Sequence, residues 1–180
     1  VDINGDLIEK NEKGDLLIAE DVDIAKNFKR PQNERQYPVF IFHEEGNENN
    51  VEAYIFPMFG RGLWGPIWGY VALQTDFNTI KGAKFDHESE TPGLGARITE
   101  NAVQKRYVGR KIFDPEGTLV SVSMLKGESN PENMLDDHNI QGLSGATITA
   151  RGLTDMISNY LNLYSGFIEK VKSGEEVASR

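Results

Sequence analysis

The chain has 180 residues, a net charge of −9 and no cysteine. That length suits one domain with a real core. The acidic balance argues against nucleic acid or an anionic membrane surface as partner, and the absence of thiols excludes disulfides, thiolate metal sites and a thiol nucleophile.

The predicted elements run as follows. Residues 1–50 read as an acidic leading segment and a first strand belonging to the same domain as the rest. The first 25 residues hold eight carboxylates and two lysines, a solvated edge. Asn4-Gly5 and Lys13-Gly14-Asp15 are turn signals around a short apolar patch, Leu16 to Ala19. Pro38 to Phe42 has the β-branched and aromatic content of a strand, His43 to Asn50 reads as a polar hairpin turn, and Val51 to Met58 as the return strand. Gly60 to Gly65 is glycine-rich and flanked by aromatics. Ile67 to Thr75 alternates with period two, both faces largely apolar, and Ile80 to Asp86 continues the sheet after a turn at Asp76 to Asn78.

His87 to Gly95 reads as a loop. Thr91 ahead of Pro92 predicts a helix N-cap with proline in the first helical position. A helix is expected over Thr99 to Tyr107. Strands are expected at Lys111 to Phe113 and Leu119 to Leu125, then a polar loop from Gly127 to Asp137. The last element, Ala150 to Lys172, places Leu153, Met156, Ile157, Tyr160, Leu161, Tyr164, Phe167, Ile168 and Val171 at helical spacing, with Gly166 as a candidate kink. Residues 173–180 form a C-terminal tail. The fold class is α+β, antiparallel strands with helices packed on them.

Function concentrates in Leu143-Ser144-Gly145-Ala146-Thr147-Ile148-Thr149. Hydroxyls and small residues directly before a long helix suit a phosphate, because free N–H groups and the positive helix end face the anion. The same residues also serve plain helix capping, and the segment alone does not separate the two. Ser144 as a nucleophile lacks the Gly-x-Ser-x-Gly elbow and a His–acid pair. His43, His87 and His138 are too scattered for a metal site, and Asp136-Asp137-His138 reads as a polar loop, so no metal and no catalytic residue are assigned. No stretch approaches the ~20 apolar residues of a membrane span, and none reads as a signal peptide. The chain starts at Val1 rather than Met, from which a removed N-terminal piece is expected, one with room for a membrane anchor.

Three motifs occur in register: Gly60-Arg61-Gly62-Leu63-Trp64-Gly65, Glu90-Thr91-Pro92-Gly93-Leu94-Gly95 and Gly142-Leu143-Ser144-Gly145-Ala146-Thr147. With Trp68 to Gln74 and Gly109 to Asp114, they resemble the C-subunit family of Na⁺-translocating NADH:quinone oxidoreductases, and more loosely the G subunit of the Rnf electron-transfer complex. The resemblance covers Val51 to Val171. It implies an FMN-binding core over residues 51–172, on the outer (periplasmic) face of the bacterial inner membrane and tethered by one N-terminal helix. It implies electron transfer from NADH toward ubiquinone coupled to Na⁺ movement, with the remaining subunits of the complex as partners and a flavin transferase needed for maturation.

By the resemblance, FMN is held by a phosphoester to Thr147. Leu143, Ser144, Gly145 and Ala146 surround the attachment. Glu90, Thr91, Leu94 and Gly95 form a loop beside the cofactor, and Gly62, Leu63 and Trp64 wall the flavin. Lys126 pairs with phosphate or reduced flavin, or is a solvated surface lysine. Trp64 and Trp68 equally suit core packing, which is favoured for Trp68. Gln141 stands where the transferase signature usually has an acidic residue. A non-redox scaffold domain of a membrane complex is the reading from another class.

Overall fold

The computed structural model describes residues 1–11 and 13–174, with backbone alone at Glu48; residues 175–180 of the predicted tail lie outside the described residues. Four strands form an antiparallel meander in the order β1 (Phe40–Glu44), β2 (Asn47–Arg61), β3 (Pro66–Leu73) and β4 (Ile80–His87). The expected α+β class is what the structure has. The β1–β2 turn is tighter than expected. It closes at Glu45-Gly46, with Gly46 at φ +80°, and Asn47 to Asn50 join β2. β2 also runs through Gly60 and Arg61, which pair with Ile67 and Pro66, so the glycine-rich turn shrinks to residues 62–65. β3 stops at Leu73, because Asp76 Oδ1 accepts the N–H groups of Asn78 and Thr79 and builds a turn that holds buried Phe77 at φ +51°.

The alternation in β3 sorts the sheet's faces. Ile67, Gly69, Val71 and Leu73 are buried; Trp68, Tyr70 and Ala72 lie on the other face. Trp68 is therefore half-buried on the outer face, not in the core as favoured from sequence. Against the inner face pack α3 (Thr147–Leu163) and α4 (Ser165–Lys172), while α1 (Ile24–Asn27) sits near β2. The predicted apolar seam is buried from Leu153 to Ile168, and Phe56, Tyr164 and Phe167 join rings at 4.8 and 6.1 Å. The helix starts at Thr147, earlier than expected. It breaks at Tyr164, where α3 gives way to α4, rather than at Gly166. Gly166 serves a close approach: a Cβ there would lie 2.7 Å from the Asn4 carbonyl.

Three expectations between the sheet and α3 are corrected. Thr91 caps no helix; its carbonyl accepts the N–H groups of Leu94 and Ala96 in a turn, with Gly93 at φ +74°. The helix over Thr99 to Tyr107 is split into 3₁₀ turns at Gly95–Thr99 and Lys105–Tyr107 around the four-residue α2 (Asn101–Gln104). Gln104 is buried and donates to the carbonyls of Phe85 and Ile98, which ties this region to β4. The strand expected at Lys111 to Phe113 survives only as isolated bridges, and the one expected over Leu119 to Leu125 is interrupted by Ser121 at φ +63°, which leaves a bridge at Leu119 and a two-residue strand near its far end. What remains is β5 (Ser123–Met124), parallel to β6 (Asn139–Ile140), a pairing not visible in sequence.

One crossing sets where α3 begins. A Cβ on Gly60 would lie 2.9 Å from Met156 Cβ, and one on Gly152 would lie 2.2 Å from the Arg61 carbonyl oxygen. Two glycines thus let α3 lie directly on the end of β2, which places its N-terminus beside the turn at residues 62–65. Gly152→Ala is expected to lower unfolding stability by about 1–3 kcal/mol through overpacking, read as a lower denaturation midpoint with an unchanged slope.

Candidate functional site

Glu90 is the centre of the site. It is buried, at 4% exposure, and its two carboxylate oxygens serve two other motifs. Oε1 accepts the Trp64 N–H at 2.8 Å, and Oε2 accepts the Thr149 hydroxyl at 2.5 Å. Its own N–H donates to His87 Nδ1 at 3.2 Å. Glycines make room for it. A Cβ on Gly62 would lie 2.5 Å from Oε1, and one on Gly95 would lie 2.4 Å from Oε2 and 2.6 Å from the Thr149 hydroxyl. Gly62 and Gly95 therefore accommodate a carboxylate rather than a turn type, since neither has positive φ. Gly145 does, at φ +75°, and a Cβ there would meet Leu94 Cδ2 at 2.8 Å.

The N-terminus of α3 is uncapped by any side chain. Ala146 occupies the N-cap, and its carbonyl accepts the first helical bond, from Ala150. The reading of Ser144, Thr147 and Thr149 as capping hydroxyls is thereby corrected: Thr149 is used by Glu90, and Ser144 contributes its N–H to Glu128 Oε2 at 3.3 Å. Thr147 is the first helical residue and exposed. Among the described residues its hydroxyl has no hydrogen-bond partner, and the N–H groups of Thr147, Ile148 and Thr149 find no acceptor. A helix start in that state favours an anion.

The remaining predicted residues divide by exposure. Ser144, Gly145, Thr91, Leu94, Leu63 and Trp64 are exposed, Trp64 at 66%. Leu143 and Ala146 are buried, and Leu143, with no exposure, anchors the segment in the core. Lys126 is exposed and lines a cleft together with Thr147. Ile148, unassigned from sequence, adds a further exposed apolar side chain at 59%.

Sequence reasoning missed the charged support beneath this segment. Arg97 grips Glu128 with two bonds of 2.9 and 3.0 Å. Arg106 reaches Glu128 at 2.7 Å and the carbonyls of Gln141 and Gly142. The two guanidinium groups hold the Glu128 carboxyl down at about 2, and its charged state raises the Arg97 guanidinium further above its ordinary value. A carboxyl depressed in the folded state stabilises the fold above its ordinary value of 4.5, and that contribution is lost as pH falls toward 2. The thermal stability advantage of the wild type over Glu128→Gln is accordingly expected at neutral pH and should vanish across that window. An advantage unchanged at low pH would remove the network from the stability argument.

Gln141 also has a local task. Its Oε1 accepts the Asn130 backbone N–H and side-chain amide, both at 2.9 Å, and its Nε2 donates to the Asn130 carbonyl at 2.7 Å. A carboxylate at this position could not make the last bond. The Asp136 to His138 run is a turn, with Asp137 paired to Lys111 at 2.7 Å and the His138 N–H given to Asp136. Among the described residues no three His, Asp or Glu side chains gather as a metal site, and no helix is long and apolar enough to cross a membrane.

The sequence profile of the FMN-binding domain family matches residues 62–162, which take in the second and third motifs whole and the first from Gly62 onward. The C subunit of the Na⁺-translocating NADH-quinone reductase from Vibrio campbellii is 31% identical, over 94% of this chain and 69% of its own length. The chain belongs to the C-subunit family of FMN-binding domains. The Pseudomonas aeruginosa C subunit is also 31% identical, over 89% of this chain and 59% of the relative. The crystal structure of the C subunit from Parabacteroides distasonis superposes on this C-subunit domain with a TM-score of 0.74 at 35% identity, covering 93% of this chain and 75% of that one. The chain spans about half the length of several curated relatives, 50% of that from Neisseria meningitidis.

Proposed function

We propose that this domain carries FMN as a phosphoester on Thr147 and relays electrons within a Na⁺-translocating NADH:quinone oxidoreductase. The observation that carries this reading is the exposed, unpartnered Thr147 hydroxyl at an uncapped helix start, beside which Glu90 gathers the other two motifs. The residues fit the group. Unsatisfied N–H groups suit a phosphate, small neighbours at Gly145 and Ala146 leave the hydroxyl accessible, and Leu63, Trp64, Leu94 and Ile148 present exposed apolar surface to an aromatic ring system.

When bound, FMN supplies the redox chemistry, and the protein supplies position and surroundings. Thr147 Oγ1 holds the ester bond, so retention does not depend on the domain's affinity. The N–H groups of residues 147–149, which have no acceptor among the described residues, would receive the phosphate oxygens. Glu90 fixes the spacing between the turn at residues 62–65 and α3, and thereby the exposed apolar side chains that would shelter the ring from water. The family resemblance supports a place on the periplasmic side of the inner membrane, an anchor outside this chain, ubiquinone as the downstream acceptor and flavin transferase as the maturation partner. The names of the relatives favour the C subunit over a carrier like the G subunit of the Rnf complex.

Co-expression with flavin transferase tests the reading. A flavin absorbance band that survives denaturation and desalting is expected. A colourless, unmodified chain from cells containing active transferase would favour the scaffold role instead.

A further inference from the structure

A cleft of about 290 Å³ opens between α3 and the chain following β5, and Thr147 stands at its edge. Ala150 is among its lining residues, and its small side chain takes up little of the space. Its width is fixed, because the Met124 N–H donates to the Thr154 hydroxyl at 3.0 Å and pins β5 to α3. The two walls carry one cation each. Arg151 lies four residues after Thr147, hence on the same face of α3, and Lys126, on the chain following β5, lines the same cleft. Both are exposed, and neither has an ion-pair partner among the described residues. No carboxylate lines the cleft. In a chain of net charge −9, two cations without an ion-pair partner among the described residues, lining one carboxylate-free cleft, stand out as an anion seat.

The geometry points to Arg151, together with Lys126, as the positioning pair for the phosphate and polyol chain of the flavin, an inference that rests on the attachment at Thr147. The volume decides how the ligand divides. Sites that enclose a whole drug-sized ligand run from about 300 to 1,000 Å³, so this cleft takes the phosphate and adjoining chain and leaves the ring system to the exposed apolar side chains at residues 63, 64, 94 and 148. Arg151 touches the phosphate as a charge partner and takes no part in bond making.

The test uses the full chain co-expressed with limiting flavin transferase, with the modified fraction read by intact mass after a short induction. Arg151→Ala and Lys126→Ala are each expected to lower that fraction about threefold, and the double variant roughly tenfold, the scale of exposed cation–phosphate pairs. Arg151→Lys should recover most of the loss, since a phosphate also accepts a point charge. Added salt should slow modification of the wild type more than of the double variant. Far-UV circular dichroism and thermal midpoint should match the wild type in all variants. A wild-type chain left unmodified overturns the Thr147 reading and this inference together. A wild type modified at Thr147 with the double variant modified equally well overturns the inference alone, as does an equal loss in Arg151→Lys and Arg151→Ala.

Discussion

Thr147→Ala is expected to abolish covalently held flavin altogether while the domain still folds. The hydroxyl is exposed and makes no hydrogen bond among the described residues, so its removal costs the fold little. Alanine is, if anything, the better helix former at that position. The change therefore separates attachment from architecture cleanly. Intact mass after co-expression with transferase should show the bare chain, and the thermal midpoint should stay within a degree or two of the wild type, as for a surface change of roughly 0.5 kcal/mol or less. Retention of one FMN mass in Thr147→Ala would move the attachment elsewhere, with Ser144 the nearest exposed hydroxyl.

Glu90→Ala is expected to act in the opposite way, through the fold. The carboxylate accepts from Trp64 and Thr149, and truncation leaves a buried hydroxyl and a part-buried N–H without partners. A buried donor left unmade costs about 1–3 kcal/mol, so a loss of about 2–4 kcal/mol is expected for the pair. Thr149→Val removes one donor from a carboxylate that keeps its bond to Trp64, and about 1–2 kcal/mol is expected. Chemical denaturation of both variants gives the comparison. A Glu90→Ala midpoint equal to that of the wild type would show that the three motifs do not depend on this carboxylate. Glu90 thus belongs to the site as a positioning residue. Its charge is spent on the protein's own backbone and on Thr149, while Thr147 and the exposed apolar side chains face outward.

The reasons some features were legible in sequence, and others not, are physical. Period-two alternation in β3 and helical spacing from Leu153 to Ile168 follow from one-sided burial, and both elements form where that pattern lies. Local turn chemistry misled where tertiary contacts dominate. Thr91-Pro92 has the residues of a helix start, yet its carbonyl closes a turn whose shape is dictated by Glu90 reaching inward. The strand expected over Leu119 to Leu125 fails at Ser121, whose positive φ nothing in a serine announces. At the site, the glycines and hydroxyls were visible as a set, but not which of them meet. Gly62 and Gly95 looked like loop residues that admit a ligand, and the space they leave is filled by a side chain of the same protein. Arg97, Arg106 and Glu128 went unnoticed because an ion-pair network assembled from residues 97, 106 and 128 has no local pattern. Gln141 departs from the transferase signature at a position where an amide, donating and accepting at once, is what Asn130 requires.

The bond from Trp64 to Glu90 has a kinetic consequence as well. The meander is built from strands adjacent in sequence, whereas the Trp64 N–H is shielded by a carboxylate 26 residues away that is itself held from 59 residues away. That one amide proton exchanges with solvent only when the turn at residues 62–65 lifts off Glu90, an opening that needs no unfolding of the sheet. Its exchange rate is a spectroscopic clock for local opening at the site. It should run faster than the clocks of β2 and β3 on either side, and it should slow once a ring system settles on the exposed face of Trp64.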